Sequence, residues 1–254
     1  MTGRLRKVLS AIALAVVWIV LWEAGTRLFA HSYAAVPPRQ VLGEFLSGMA
    51  GAYWPPLAAS FRRILVGYGL ALAIGTTVGA LVASSRFFEW LLGALVLGVQ
   101  SLPSICWLPV AILWFGLNER AILFVVLMGS VGSITIAARD GLRGVPPIFH
   151  RVADTFGARA WQHLLFVSLP AALPGFVTGM KQGWSFAWRS LMAGELLYHS
   201  RSLGSLLSDS RDLADYPRMY SVMLLVVLAS LLVDRAVFAP LERGVRGRWG
   251  LAVR

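Results

Sequence analysis

Four stretches, Ile64 to Ser85, Trp90 to Asn118, Ala121 to Ala138 and Ala160 to Met180, contain no Asp, Glu, Lys or Arg. Each matches or exceeds the roughly 18 to 20 residues a helix needs to cross a bilayer's hydrocarbon core. Lipid offers backbone groups no hydrogen-bond partners, so such runs must fold as helices that satisfy themselves. Only 14% of the 254 residues are charged and 57% are hydrophobic, whereas soluble domains carry about 25% charge. The expected class is therefore an all-α integral membrane protein.

About six spans follow from the apolar runs, centred on Val8–Trp22, Ile64–Ala83, Leu91–Phe115, Ala121–Ala138, Gly175–Leu197 and Tyr220–Phe238. The first and last runs are short and need flanking residues to cross. Gly67, Gly69, Gly75 and Gly79 in the second span read as a packing face, since small residues let helix backbones approach in lipid. The first span lacks the small-residue exit of a cleavable signal and is expected to stay in place. No repeat or second soluble domain is visible, so residues 1–254 read as one membrane domain.

The net charge is +11 and nearly all of the basic residues are arginine. They sit at the ends of apolar runs, as topology signals do, which argues against nucleic-acid binding. Arg4, Arg6, Lys7, Arg86, Arg139, Arg143, Arg151, Arg159 and the tail Arg235, Arg243, Arg246, Arg248 and Arg254 fall on one side. Both termini are thus expected on the cytoplasmic side of a multi-pass membrane protein. Arg62 and Arg63 stand against the bias. Between spans, Val41, Leu42, Phe45, Leu46 and Met49 repeat on one helical face, and Ser202 to Pro217 mixes leucines with aspartates; both read as outer surface helices.

Enzymatic chemistry finds no footing. A P-loop needs a Gly-Lys pair, and the only lysines, Lys7 and Lys181, follow Arg6 and Met180. His31, His150, His163 and His199 lie outside the spans or at their edges, in no protease pattern. The single Cys106 excludes intrachain disulfides and cysteine-rich metal sites. No cofactor, metal or catalytic residue is expected. Glu195, near the outer end of the fifth span, reads as an interfacial side chain in water. Energy for any uphill transport must come from a partner.

The fifth span carries Lys181, Ser185 and Arg189, spaced four apart and expected on one face with Trp184 and Trp188 beside them. Lys181 is near the inner end, where it can snorkel. Arg189 is too deep for that. It either lines a path or pairs with backbone carbonyls or Glu195.

Between the fourth and fifth spans, Gly144 to Leu169 is too long for a bare turn. Val152, Phe156 and Trp161 are expected to seat it on the span ends, leaving Arg151, Asp154, Arg159 and His163 to water. Gly157 allows a sharp turn between two short helices, because glycine alone takes left-handed angles without strain. Pro170 and Pro174 are expected to end that unit and open the next span.

This stretch resembles the coupling motif of binding-protein-dependent ABC importer permeases: Glu-Ala-Ala, three residues, Gly, nine residues, Ile-x-Leu-Pro. Ala153, Gly157, Val167, Leu169 and Pro170 match at the family spacing. Arg151 stands where the family has Glu and Val152 where it has the first Ala. "SFRRILVGYGLALAIGTTVGALVA", "SLPSICWLPVAILWFGLNE" and "LLVDRAVFAPLERGVRGRW" are similar to spans of the nitrate, sulfonate and taurine branch. The resemblance implies a type I importer fold in which a second permease copy, expected as a homodimer, shares a central path. ABC ATPase subunits would dock at Arg151, Ala153, Asp154, Gly157, Ala158, Trp161, Leu169 and Pro170, with a solute-binding protein outside. Lys181, Ser185, Trp188 and Arg189 are the candidate path residues. The implied function is ATP-driven import of a small anion such as a sulfonate, taurine or nitrate. The alternatives are a vitamin-precursor permease and a stand-alone channel or carrier.

Overall fold

The computed structural model describes residues 2–28, 35–198 and 200–248, with no strand among them. His31, His199 and Arg254 lie outside these residues. The helices are α1 (Thr2–Leu28), α2 (Pro38–Met49), α3 (Trp54–Ser84), α4 (Arg86–Ser101), α5 (Ser104–Phe115), α6 (Glu119–Arg143), α7 (Pro147–Thr155), α8 (Ala160–Glu195), α9 (Leu203–Asp212) and α10 (Tyr216–Gly247). Proline occupies the first turn of α2, α3, α7 and α10, where its missing N–H is no loss. At the start of α6, the Asn118 side chain accepts from the Arg120 and Ala121 amides and caps two otherwise orphaned donors.

Among the described residues four helices, α3, α6, α8 and α10, are long and apolar enough to cross a membrane. The pair α4 and α5 makes a fifth if counted as one span. The expected third span is thus not one straight helix, for its halves meet at 102°. Leu102 is extended and Pro103 follows it; a proline pushes its predecessor out of helical angles and cannot donate to the turn before it. The N-terminal α1 is outside that set of spans but is helical over 27 residues. It leaves Leu14, Trp18 and Val20 exposed and sets Trp22 edge-on against Tyr220 of α10.

Helix α6 is the axis of the bundle, packed between α3 and α8. Gly67, Gly75 and Gly79 of α3 press against Val126, Ile134 and Thr135 of α6, whereas Gly69 faces open space; the packing face therefore holds three of the four expected glycines. Tyr68, Ile134, Trp184, Trp188, Leu191 and Val222 join α3, α6, α8 and α10 in one buried core. Both surface helices form where expected. In α2 Val41 is buried and Leu46 exposed, and in α9 Leu203 is buried.

Helix α8 differs most from expectation. It runs unbroken from Ala160 to Glu195, so Pro170 and Pro174 do not delimit a separate unit. A wider π turn over His163–Ser168 precedes Pro170, and Pro174 lies inside the helix. The looser turn absorbs hydrogen bonds that prolines cannot make.

Candidate functional site

The turn after α7 is built as its sequence demands. Gly157 has φ +68°, its amide donates to the Asp154 carbonyl, and the Ala158 amide donates to the Ala153 carbonyl. This pair of bonds closes a helix on a left-handed residue. No atom lies near a side chain added at Gly157, so the backbone angle alone demands glycine. The second helix of the expected pair is the start of α8 itself.

Arg151, Asp154 and Arg159 are exposed as expected, but the apolar residues are not seated on the span ends. Phe156 is 85% exposed, and Ile148, Val152 and Trp161 are exposed with it. His163 instead turns inward, stacking on His150 and lying 3.1 Å from Asp154. Amphipathic spacing defined the apolar face of α7 but not what it faces. Arg151 is exposed, Ala153 and Ala158 are half-buried, and Leu169 and Pro170 border an apolar groove against α3 and α6.

The candidate path residues separate. Lys181 pairs with Asp234 of α10 at 3.0 Å. Trp188 and Trp184 are buried in the core, Trp184 edge-on to Tyr68 and Trp188. Ser185 is half-buried. Arg189 faces a cavity of about 290 Å³ that it shares with Gln100, Ser101, Ser104 and Phe186. Its guanidinium lies 5.2 Å from the centre of the Phe186 ring and has no carboxylate partner among the described residues. The cavity sits where α4 breaks into α5. A second cavity, about 330 Å³, is lined by Gln100, Ser133, Asp140, Thr178 and Gln182. Thr178 and Gln182, absent from the sequence-based set, therefore share a face of α8 with Arg189.

Glu195 is not in water. It is 0% exposed and receives hydrogen bonds from Arg63 at 2.9 Å, Ser60 at 2.7 Å and the Gly204 amide at 3.1 Å. The Leu203 amide donates to Ser60 in turn. This network ties α3 to the end of α8 and the first turn of α9, and it removes Glu195 as a partner for Arg189. Nearby, the Tyr53 hydroxyl meets Ser221 at 3.0 Å, and burial pushes its pKa above the ordinary phenol value.

A bundle of apolar helices with cavities among α4, α5, α6 and α8 fits a membrane transport subunit. The chain belongs to the family of binding-protein-dependent transport system inner membrane components, whose model matches residues 71–246. It is 29% identical over 244 residues to the taurine transport system permease protein of Escherichia coli (strain K12), covering 94% of this chain and 86% of that one. It is also 29% identical over 233 residues to the riboflavin transport system permease protein of Chloroflexus aurantiacus, covering 91% and 86%. Among solved structures, a chain of the inward-facing MetNI methionine ABC transporter superimposes with a TM-score of 0.63 at 21% identity, over 73% of this chain and 92% of that one. The fold is that of type I ABC importer permeases. The chain is a transport subunit of the inner membrane, and the family implies an ATPase and a solute-binding protein as its partners.

Proposed function

We propose that this permease moves a small oxyanion of the sulfonate class inward from its binding protein, and that Arg189 receives it. The observation that carries this reading is an arginine with no carboxylate partner among the described residues, placed in a cavity with Gln100, Ser101 and Ser104 at a broken helix. A guanidinium offers a planar fork of donors that suits sulfonate, nitrate or carboxylate. The taurine relative carries a sulfonate and agrees. Two copies of the chain surround the route, with both termini in the cytoplasm. The whole chain acts as one membrane domain, and residues 144–170 meet the ATPase. There the exposed Ile148, Val152, Phe156 and Trp161 form the apolar contact, Arg151 and Asp154 the polar one, and the bend after α7 is held by Gly157.

A second reading, an uncharged vitamin precursor, is favoured by the riboflavin relative. Uptake by the intact complex in proteoliposomes separates them, with taurine and riboflavin as probes. Arg189→Gln is expected to lower taurine uptake at least about tenfold, the loss of one charge-assisted contact, with the complex intact. Arg189→Lys recovers part of it. Normal taurine uptake by the Gln variant sinks the oxyanion reading, and riboflavin uptake indifferent to residue 189 supports the second.

A further inference from the structure

Three residues beyond Arg189 carry polar groups into the cleft between α6 and α8. Gln100, in the last turn of α4, lines both cavities. Its side chain lies on the bare backbone of Gly132, where an added Cβ would come within 2.9 Å of the Gln100 Cβ and 3.2 Å of its Oε1. Any larger residue at 132 would push the amide out of the cleft. That amide makes no hydrogen bond among the described residues. In the second cavity Ser133 is 5% exposed, and its hydroxyl has no hydrogen-bond partner among the described residues. A buried hydroxyl without a partner is destabilising, and native structures rarely retain one without a ligand or water to serve. Gln182 faces it from α8. Asp140 also borders this cavity, but Arg139 holds it in an ion pair at 2.7 Å, which offsets its repulsion of an anion.

We infer that the two cavities are successive stations of one oxyanion route, and that the Gln100 amide divides them. The inference rests on the reading of Arg189 given above. The stations differ in chemistry. The first holds the anion with a full positive charge. The second offers only neutral donors, from Gln100, Ser133 and Gln182. Conduction needs sites favourable enough to enter and weak enough to leave, and a charged station followed by a neutral one meets both needs. Gln100 reaches both, so an anion leaving Arg189 exchanges one donor set for the next without an undonated interval.

The single cysteine makes this testable. With Cys106→Ser as background, Ser133→Cys is introduced into the intact transporter in membrane vesicles. It is then treated with the anionic reagent sulfonatoethyl methanethiosulfonate or its cationic trimethylammonium analogue. Rates are normalised to those of a free thiol. Arg189 is the one cation on this cleft without a carboxylate partner among the described residues, so the anionic reagent is expected to react several times faster. Arg189→Gln is expected to erase that preference. Thr135→Cys, on the α3 side of α6, is the unreactive control. Gln100→Leu, which keeps bulk but removes the amide, is expected to slow modification of Ser133→Cys about tenfold while Ser104→Cys in the first cavity still reacts.

Modification of Ser133→Cys no faster than of Thr135→Cys overturns the second station. Modification without charge preference overturns the oxyanion route, and an unchanged rate in Gln100→Leu overturns the divider. If Arg189→Gln lowers taurine uptake while Ser133→Cys stays unreactive, the proposed function stands and this inference alone falls.

Discussion

Arg63 and Glu195, 132 positions apart in the chain, meet at 2.9 Å with the carboxylate wholly shielded from solvent. Glu119 lies 3.5 Å from the same guanidinium. Removing one member of a buried ion pair leaves the other charge uncompensated, at a cost of about 3 to 5 kcal/mol. Glu195→Ala is expected to lose about that much stability in detergent, read by thermal unfolding of the purified transporter. The double variant Arg63→Met, Glu195→Leu should recover part of it. A Glu195→Ala protein as stable as the parent would show that the pair contributes nothing.

Lys181 and Asp234 form a partly exposed pair between α8 and α10. Their role is expected to be packing, with a coupling on the order of 1 kcal/mol or less. Lys181→Met and Asp234→Asn should each destabilise slightly, and the double variant should fall short of the sum. Taurine uptake should change less than about twofold, against the tenfold expected for Arg189→Gln. A Lys181→Met loss as large as that of Arg189→Gln would return Lys181 to the route.

At Gly157 the backbone angle, not space, excludes side chains. Left-handed angles cost a residue with a Cβ about 1 to 2 kcal/mol, and β-branching adds to this. Gly157→Val is expected to reach the membrane but to lose most uptake while ATP hydrolysis persists. Gly157→Asn should be far milder, because asparagine tolerates this conformation. Equal activity in both variants would remove the turn from the coupling step.

Arg151 is exposed beside the apolar face of α7. If it meets an acidic or carbonyl-rich surface on the ATPase, Arg151→Glu should weaken association severalfold, since close charge pairs dominate interface on-rates and retention. Pull-down of the ATPase by the variant gives the answer. Tighter capture would mean that the partner presents a basic surface.

The spans were legible because absence of charge over a helix's length has few explanations in water. The break at Leu102–Pro103 was written in the sequence as a proline, yet apolarity continued through it and hid the bend. Arg63 and Glu195 each stand out in the sequence, but nothing in either neighbourhood points to a partner so distant. The stripe on α8 spreads around the helix for a geometric reason. Steps of four residues advance the face by about 40° each, so Lys181 and Arg189 are about 80° apart. Thr178, Gln182 and Arg189, offset by four and seven residues, instead fall within about 40° of one another. The apolar face of α7 was legible too, but a hydrophobic stripe does not say whether membrane, bundle or partner will cover it.

The unbroken course of α8 has a mechanical consequence. Its 36 residues make a rod roughly 54 Å long, with Trp161 near one tip and Arg189 near the other. Gly179, Gly183 and Gly194 seat the rod against Ala137, Ile134 and Ile122 of α6, and Glu195 fastens its far tip to Arg63 and Ser60 of α3. A push at Trp161 is therefore taken up ahead of the fastened part rather than passed on as a swing of the Arg189 end. The π turn at His163–Ser168 and Pro174 lie on the Trp161 side of those contacts. Compliance is thus concentrated in one arm, while the arm that carries Arg189 stays stiff.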